Sequence, residues 1–263
     1  MSRLLPRAYL LFHRATHRLG VPFTATGSGL WLGLLDGDAL AAVDEAMYAG
    51  GGYLGDEHNL RGLFPWEETA LDEWFAGRRR LLLVGAGGGR ELVALAARGL
   101  SVDAYECNPA LVAAGNDLLE RRGVDARIAL LPRDEAPGGG GPYDGGLVGW
   151  SAYMLMPGRE RRIRFLRGMH DRLQPGAPLL LSFWTRMEGA PRPPRVVRVA
   201  NTVRRMLGRP RVDLGDDLAP NYLHSFTEAE VRAEMTEGGF QMMRFVPHGP
   251  GGRDSGWAVG HAV

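Results

Sequence analysis

The chain has 263 residues, with 31 basic side chains against 30 acidic ones, a single cysteine (Cys107) and no lysine, so every basic side chain is an arginine. Without an ε-amine there is no Schiff-base nucleophile, lysine-tethered pyridoxal or Walker-type phosphate lysine, and one cysteine excludes an intramolecular disulfide and any CxxC zinc or redox pair. A composition 45% apolar and 23% charged, with a net charge of +1, describes an ordinary soluble globular protein without global affinity for nucleic acid or an anionic membrane.

The first 35 residues carry Arg3, Arg7, Arg14 and Arg18 and no acid. Their apolar pieces, such as Leu10-Leu11-Phe12, are too short for a secretory core or a membrane span. They predict a basic amphipathic helix packed on the domain, with a transit-like or surface-associating segment as the alternative. No run of about 18 apolar residues occurs elsewhere, so the expectation is a cytoplasmic protein with no transmembrane segment. In residues 63–75, Leu63, Phe64, Trp66, Ala70, Leu71, Trp74 and Phe75 fall at helical spacing, and Gly77 ends them. The period then changes. Leu81-Leu82-Leu83-Val84 reads as a strand, Gly85-Ala86-Gly87-Gly88-Gly89 as a loop, and residues 91–97 as a helix closed by Gly99.

The alternation continues with a strand over 102–105 ending in Glu106, and a helix over 109–122 with proline in its first turn and Gly123 after its end. Strands at 127–131 and 143–148 flank the glycine-rich loop 138–141. A helix over 159–173 stops at Gln174-Pro175-Gly176 before a strand at 179–183. Such alternation implies parallel crossover units and a sheet covered on both faces. Residues 186–224 break it with Pro191, Pro193, Pro194, Pro210 and a dense run of arginines, and read as an insertion. Regular structure resumes at Thr227, whose Thr-x-x-Glu to Glu230 is a capping box for a helix ending at Gly238-Gly239. Strands at 240–246 and 257–263 close the chain. The organisation expected is a helical cap segment over 1–78, a core over 79–185, an Arg/Pro-rich cap insertion over 186–224, and a helix with two strands over 225–263 completing the core.

Glycines between a first strand and its helix let backbone approach a ligand closely, with helix N–H groups available to its polar parts. Arg90 stands where the dinucleotide fingerprint needs its third glycine, which argues against a standard NAD fold. Seventeen residues beyond Gly89, Glu106 ends the second strand, where a carboxylate can accept from both ribose hydroxyls of an adenosine. Loop and acid together point to an adenosine site. The glycines alone would be only a tight turn.

These residues resemble the class I S-adenosylmethionine-dependent methyltransferases. The likeness lies in the glycine motif Leu82-Leu83-Val84-Gly85-Ala86-Gly87-Gly88-Gly89, Glu106, Arg133-Asp134 after strand three, Tyr143-Asp144 opening strand four, and Leu173-Gln174-Pro175-Gly176 before strand five. The passage from Phe226-Thr227 to Gly239-Phe240 is similar to the family's last helix entering its strand six. The resemblance covers about residues 79–185 and 225–263. It implies an α/β fold: a Rossmann-like seven-stranded, mostly parallel sheet with helices on both faces and the last strand antiparallel. It also implies S-adenosyl-L-methionine as cofactor and S-adenosyl-L-homocysteine as product. Gly85, Gly87 and Gly89 would pass under the methionine moiety and Glu106 would hold the ribose. Cys107 would lie near the adenine, Asp134 would accept from its amino group, and Trp150 would border the sulfonium. One position departs: the family's acid two residues before the first glycine is here Leu83. That leaves Glu91 or a residue of the N-terminal segment to meet the methionine amino group.

Methyl transfer from a sulfonium is an in-line displacement, so the protein aligns an acceptor atom and excludes water. A hydroxyl or protonated amine acceptor also needs a base, for which histidine suits neutral pH. His58 and His224 lie in the two segments expected to roof the strand C-terminal edge, each with a surface or helix-capping role as the alternative. Tyr153 and Tyr222 are candidates to line the acceptor pocket, with Tyr53 and Trp66 on the same positional grounds. Trp150 and Tyr153 read otherwise as core aromatics, Cys107 as a small apolar contact, and Asp134 as a solvated loop acid.

The histidines form no HxH or HExxH pattern and the acids are scattered, so metal-independent transfer to an oxygen or nitrogen of a small molecule is expected. Arg192, Arg195, Arg198, Arg204 and Arg205 read as a carboxylate- or phosphate-binding fork or as a solvated helix face. They lack interleaved aromatics for stacking bases, which argues against a nucleic-acid partner. Three alternatives stand beside this reading. Aminopropyl transfer is opposed by the absence of an acid pair at Gly149-Trp150-Ser151, and NAD(P)-dependent oxidoreduction by Arg90. A non-catalytic module binding an adenosyl ligand is left open by Leu83.

Overall fold

A computed structural model describes residues 4–16, 21–189, 194–247 and 255–263. Five strands, β1 (Arg80–Val84), β2 (Ser101–Glu106), β3 (Ile128–Leu130), β4 (Gly145–Val148) and β5 (Pro178–Phe183), pair in parallel. A short antiparallel hairpin, β6 (Asp216–Leu218) and β7 (Tyr222–His224), stands apart. The last strands, β8 (Phe240–Val246) and β9 (Gly256–Ala262), complete a seven-stranded sheet of order β3-β2-β1-β4-β5-β9-β8, with β9 antiparallel to both neighbours. This is the mostly parallel, Rossmann-like sheet that the family resemblance implies. Tyr143 falls just outside β4 and makes an isolated bridge to Leu173.

Period two along β1 divides the core. Leu82 and Val84 enter one apolar cluster, with Phe165, Leu166, Val231 and Met235. Leu81 and Leu83 enter the other, with Leu71, Leu92, Leu95 and Leu119. Helices α8 (Arg159–His170) and α10 (Glu228–Glu237) thus cover one face, and α5 (Pro65–Trp74), α6 (Arg90–Ala97) and α7 (Pro109–Arg122) the other. Local signals set the helix ends. Asn108 accepts from the Ala110 N–H to start α7, which closes at Gly123 with φ +63. The Thr227/Glu230 capping box opens α10. Beneath the first face, Arg162 pairs with Glu234 at 2.7 Å with both side chains about 1% exposed, and Glu234 accepts from the Tyr153 hydroxyl at 2.6 Å.

The insertion is more ordered than its prolines and arginines suggest. It holds helix α9 (Arg195–Met206) and the β6–β7 hairpin. Val196, Val197 and Ala200 supply a buried stripe that the flanking arginines mask in the sequence. They join Tyr9 of α1 (Leu4–Thr16), Leu32 of α2 (Val21–Leu34), and Leu40 and Val43 of α3 (Gly37–Tyr48), together with Leu218 and Tyr222, in a third cluster. Helices α1–α3 therefore pack with the insertion through one apolar cluster.

Two glycines permit the α2–α9 contact: a Cβ at Gly29 would stand 2.6 Å from the Val196 carbonyl oxygen, and one at Gly33 would stand 2.6 Å from Val203 Cβ. Arg204 donates to the Leu32 and Leu35 carbonyls and Arg209 to that of Leu34, satisfying the C-terminal end of α2. Arg195, Arg198 and Arg205 are exposed, and Arg192 lies outside the described residues. Among the described residues no helix is long and apolar enough to cross a membrane.

Candidate functional site

A cavity of about 310 Å³ opens at the C-terminal edge of the parallel strands, where an open α/β sheet offers a crevice for ligands. Its floor comes from the turns leaving β1, β2, β3 and β4. Its roof comes from α3, from a short turn and helix α4 (Asp56–Asn59) that follow it, and from the β6–β7 connection.

Glu106, the last residue of β2, organises the floor. Its Oε2 accepts from the Gly87 N–H at 2.9 Å, and its Oε1 from the N–H groups of Cys107 at 2.8 Å and Asn108 at 2.9 Å. One carboxylate, 7% exposed, thereby ties the glycine turn to the start of α7 while still facing the cavity. Gly85 and Gly87 line it with φ of +79 and +56. A Cβ on Gly85 would stand 2.7 Å from Ala152 Cβ, so the close approach of β1 to the β4 turn requires glycine. Gly89, at φ +98, is the N-cap of α6 and is not part of the lining.

The roof is held by Asp44 of α3. Its Oδ2 pairs with Arg133 at 2.7 Å and its Oδ1 accepts from Asn221 at 2.7 Å, which joins the N-terminal segment, the β3 turn and the insertion at one residue. A chain of rings runs along the roof: Tyr48 to Tyr53 at 5.0 Å, Tyr53 to His58 at 5.0 Å, and His58 stacked on Trp150 at 6.1 Å. Trp150 is fixed by its indole N–H on Ser255 at 2.8 Å and by its backbone N–H on Glu91 at 2.9 Å. Burial and the nearby Arg90 charge lower the His58 pKa below 6.5, so the imidazole is neutral and able to accept a proton at pH 7.

The structure brings Gly85, Gly87, Glu106, Cys107, Asp134, Trp150 and His58 to this one cavity. Burial, with the Glu106 charge beside it, pushes the Cys107 thiol up to about 12, so it is a protonated contact and no nucleophile. Asp134 is not a solvated loop acid: its carboxylate pairs with Arg161 at 2.9 Å, and burial raises its pKa against that pairing.

Besides Gly89, four expected residues lie elsewhere. Tyr153 is buried under the first sheet face on Glu234 and Arg162. Along β7, Tyr222 and His224 share the side turned from the cavity, because residues two apart face the same way, and Leu223 between them lines it. Tyr222 and His224 both bind Asp216 Oδ1, at 2.6 and 2.7 Å. Asp213, Asp216 and His224 bring ligand atoms within 4.8 Å of one another. The Asp216 oxygens, however, are engaged by Tyr222, His224 and the Asp213 N–H, which makes this a hydrogen-bonded strut for the cap. Trp66 packs in the second core cluster.

Residues that sequence reasoning did not single out for the site are Asp44, Tyr48, Asn59, Arg133, Trp184 and Asn221. Asn59 is the most informative. It is 2% exposed, and its Nδ2 donates to the carbonyls of Tyr53 at 2.8 Å and Gly55 at 3.0 Å, leaving Oδ1 buried without a partner. Its amide lies on the glycine turn, where a Cβ at Gly88 would stand 2.7 Å from that oxygen.

No protein-family model and no curated protein sequence matches the chain. Solved structures do. The Burkholderia thailandensis 1,6-didemethyltoxoflavin-N1-methyltransferase, with bound 1,6-didemethyltoxoflavin and S-adenosylhomocysteine, aligns over 87% of this chain and 91% of its own at 18% identity and TM-score 0.59. The CcbJ methyltransferase of Streptomyces caelestis covers 84% of this chain and 99% of its own at 15% identity and TM-score 0.60. CalS10, an amino pentose methyltransferase from Micromonospora echinaspora, covers 87% and 98% at 18% identity and TM-score 0.53.

Proposed function

We propose that this chain, whose fold is that of the class I S-adenosylmethionine-dependent methyltransferases, transfers a methyl group from S-adenosyl-L-methionine to an oxygen or nitrogen of a small molecule in the cytoplasm, without a metal. The observation that carries this reading is the Glu106 carboxylate, held by three backbone N–H groups at the edge of a cavity whose floor is the glycine turn. An acid so placed accepts from a ribose diol, and the paired φ-positive glycines leave room for the chain beyond it.

In this reading Glu106 holds the ribose, Cys107 and Asp134 border the base, Gly85 and Gly87 underlie the methionine moiety, and Trp150 borders the sulfonium. The cofactor supplies an activated methyl group. The protein supplies alignment and a dry surround. Met154, Leu155, Met156, Phe165, Trp184 and Leu223 give the rest of the lining an apolar, partly aromatic character that suits a flat organic acceptor. His58, neutral at pH 7 and stacked on Trp150, is the group placed to take a proton from an acceptor hydroxyl or ammonium.

The test is incubation with S-adenosylmethionine carrying a labelled methyl group and a fractionated pool of small metabolites. Label transferred to a small molecule, lost in His58→Gln, supports the reading. Binding of S-adenosylhomocysteine by the wild type with no label transferred to any fraction would instead favour a module that binds an adenosyl ligand without turnover.

A further inference from the structure

The position of the family's motif acid, Leu83, is fully buried among apolar side chains of the second core cluster, so no polar group can act from there. The glycine end of the cavity nevertheless carries charge. Arg90 is clamped by Glu67, through Nη1 to Oε2 at 2.7 Å and Nη2 to Oε1 at 2.6 Å, and also meets Glu91 Oε1 at 2.7 Å. All three side chains are buried, and among the described residues Arg90 is the sole cation paired with either carboxylate. Two carboxylates and one guanidinium leave a net charge of −1 in a buried cluster. Of the three, Arg90 and Glu91 line the cavity and Glu67 does not.

A surplus buried charge is costly unless a counter-charge or strong hydrogen bonds meet it. The strain shows on Glu67: burial, reinforced by the Glu91 charge, drives its pKa up even though it is bound to Arg90 and to the Phe64 N–H. The hydrogen bonds of Glu91 end on Oε1, from Arg90 and from the Trp150 N–H, so Oε2 is available to a ligand. A negative surplus beside an unspent carboxylate oxygen is the complement of a cation that carries N–H donors.

Resting on the reading of the cavity as an S-adenosylmethionine site, we infer that the Glu67–Arg90–Glu91 triad replaces the missing motif acid and binds the α-ammonium of the methionine moiety through Glu91 Oε2. Arg90, which breaks the dinucleotide fingerprint, then has a positive reason for its place. It holds two carboxylates together beside the glycine turn while cancelling only one of them.

The experiment is calorimetric titration of wild type, Glu91→Gln and Glu67→Gln with three ligands: S-adenosylmethionine, S-adenosylhomocysteine and 5′-methylthioadenosine, which lacks the amino-acid end. Glu67→Gln alters the charge of the triad without altering the cavity lining. Both variants should bind S-adenosylmethionine and S-adenosylhomocysteine more weakly, on the order of tenfold or more for Glu91→Gln and several-fold for Glu67→Gln, with methylthioadenosine affinity unchanged. Circular dichroism identifies a variant that fails to fold, in which case the other carries the test. Wild-type affinity for S-adenosylhomocysteine in a folded variant overturns the inference. So does an equal loss on methylthioadenosine, or a loss confined to S-adenosylmethionine, which would place the charge against the sulfonium. A wild-type protein that binds none of the three fails the underlying reading instead.

Discussion

The sheet and the cap build the cavity by different means. At the glycine turn the sheet side works through its backbone: φ-positive glycines, N–H groups converging on Glu106, and strand ends fixed by the parallel register. The cap side contributes side chains, namely Asp44, Tyr48, Tyr53, His58, Asn59 and Asn221, brought together from segments far apart in sequence. Backbone features suit recognition of one constant ligand, because they depend on topology and not on which side chains happen to pack. Side chains on a separately packed layer suit a variable acceptor. The most deeply buried ion pair among the described residues, Arg162–Glu234, belongs to the first sheet face and does not line the cavity.

The largest effect expected from breaking one side of this comparison is therefore on folding. Arg162→Ala leaves Glu234 buried without its partner and should lower unfolding free energy by about 3–5 kcal/mol in a denaturant titration. A loss under 1 kcal/mol would mean that Glu234 is relieved some other way.

On the cap side, His58→Gln should reduce kcat about 10²-fold while leaving cofactor affinity unchanged, measured on the acceptor found by label transfer. The pH profile carries the sign. A histidine whose pKa is depressed is the active, neutral base above that pKa, so wild-type kcat should fall only as pH drops below 6.5 and stay flat above it. The acid limb should vanish in the variant.

Smaller still is the expected effect of Gly33→Leu, which forces α2 away from Val203 of α9. It should cost about 1–3 kcal/mol. Because the cap packs through its own apolar cluster, acceptor KM should rise more than cofactor Kd. Equal effects on both constants would show that cap and sheet do not divide the work.

Legibility in the sequence follows the same division. Strand β5 and the helices α7 and α10 can be read nearly to the residue, because hydrophobic period, Asn108-Pro109, Gly123 and the Thr227/Glu230 box are local signals. Glu106 and the glycine turn are legible for the same reason. Helix α9 is hidden by arginines on its outer side, and its buried stripe acquires meaning only against Gly29 and Gly33 of α2. His224 and Tyr222 mislead because a three-residue strand lets one register decide which side chains face the cavity, and the register chosen presents Leu223. Asp44 and Asn59 carry no local signal at all. Their roles depend on partners such as Arg133, Asn221 and the glycine turn, which are remote in sequence.

The central claim is that the Glu106 carboxylate and the glycine turn form one adenosyl site. Calorimetric titration of wild type and Glu106→Ala with S-adenosylhomocysteine addresses it most directly. The account predicts one-to-one binding by the wild type and a loss of about 2–3 kcal/mol in the variant, as for an acid that takes two ribose hydroxyls. Absence of binding by the wild type, or equal affinity in a folded Glu106→Ala, would contradict it.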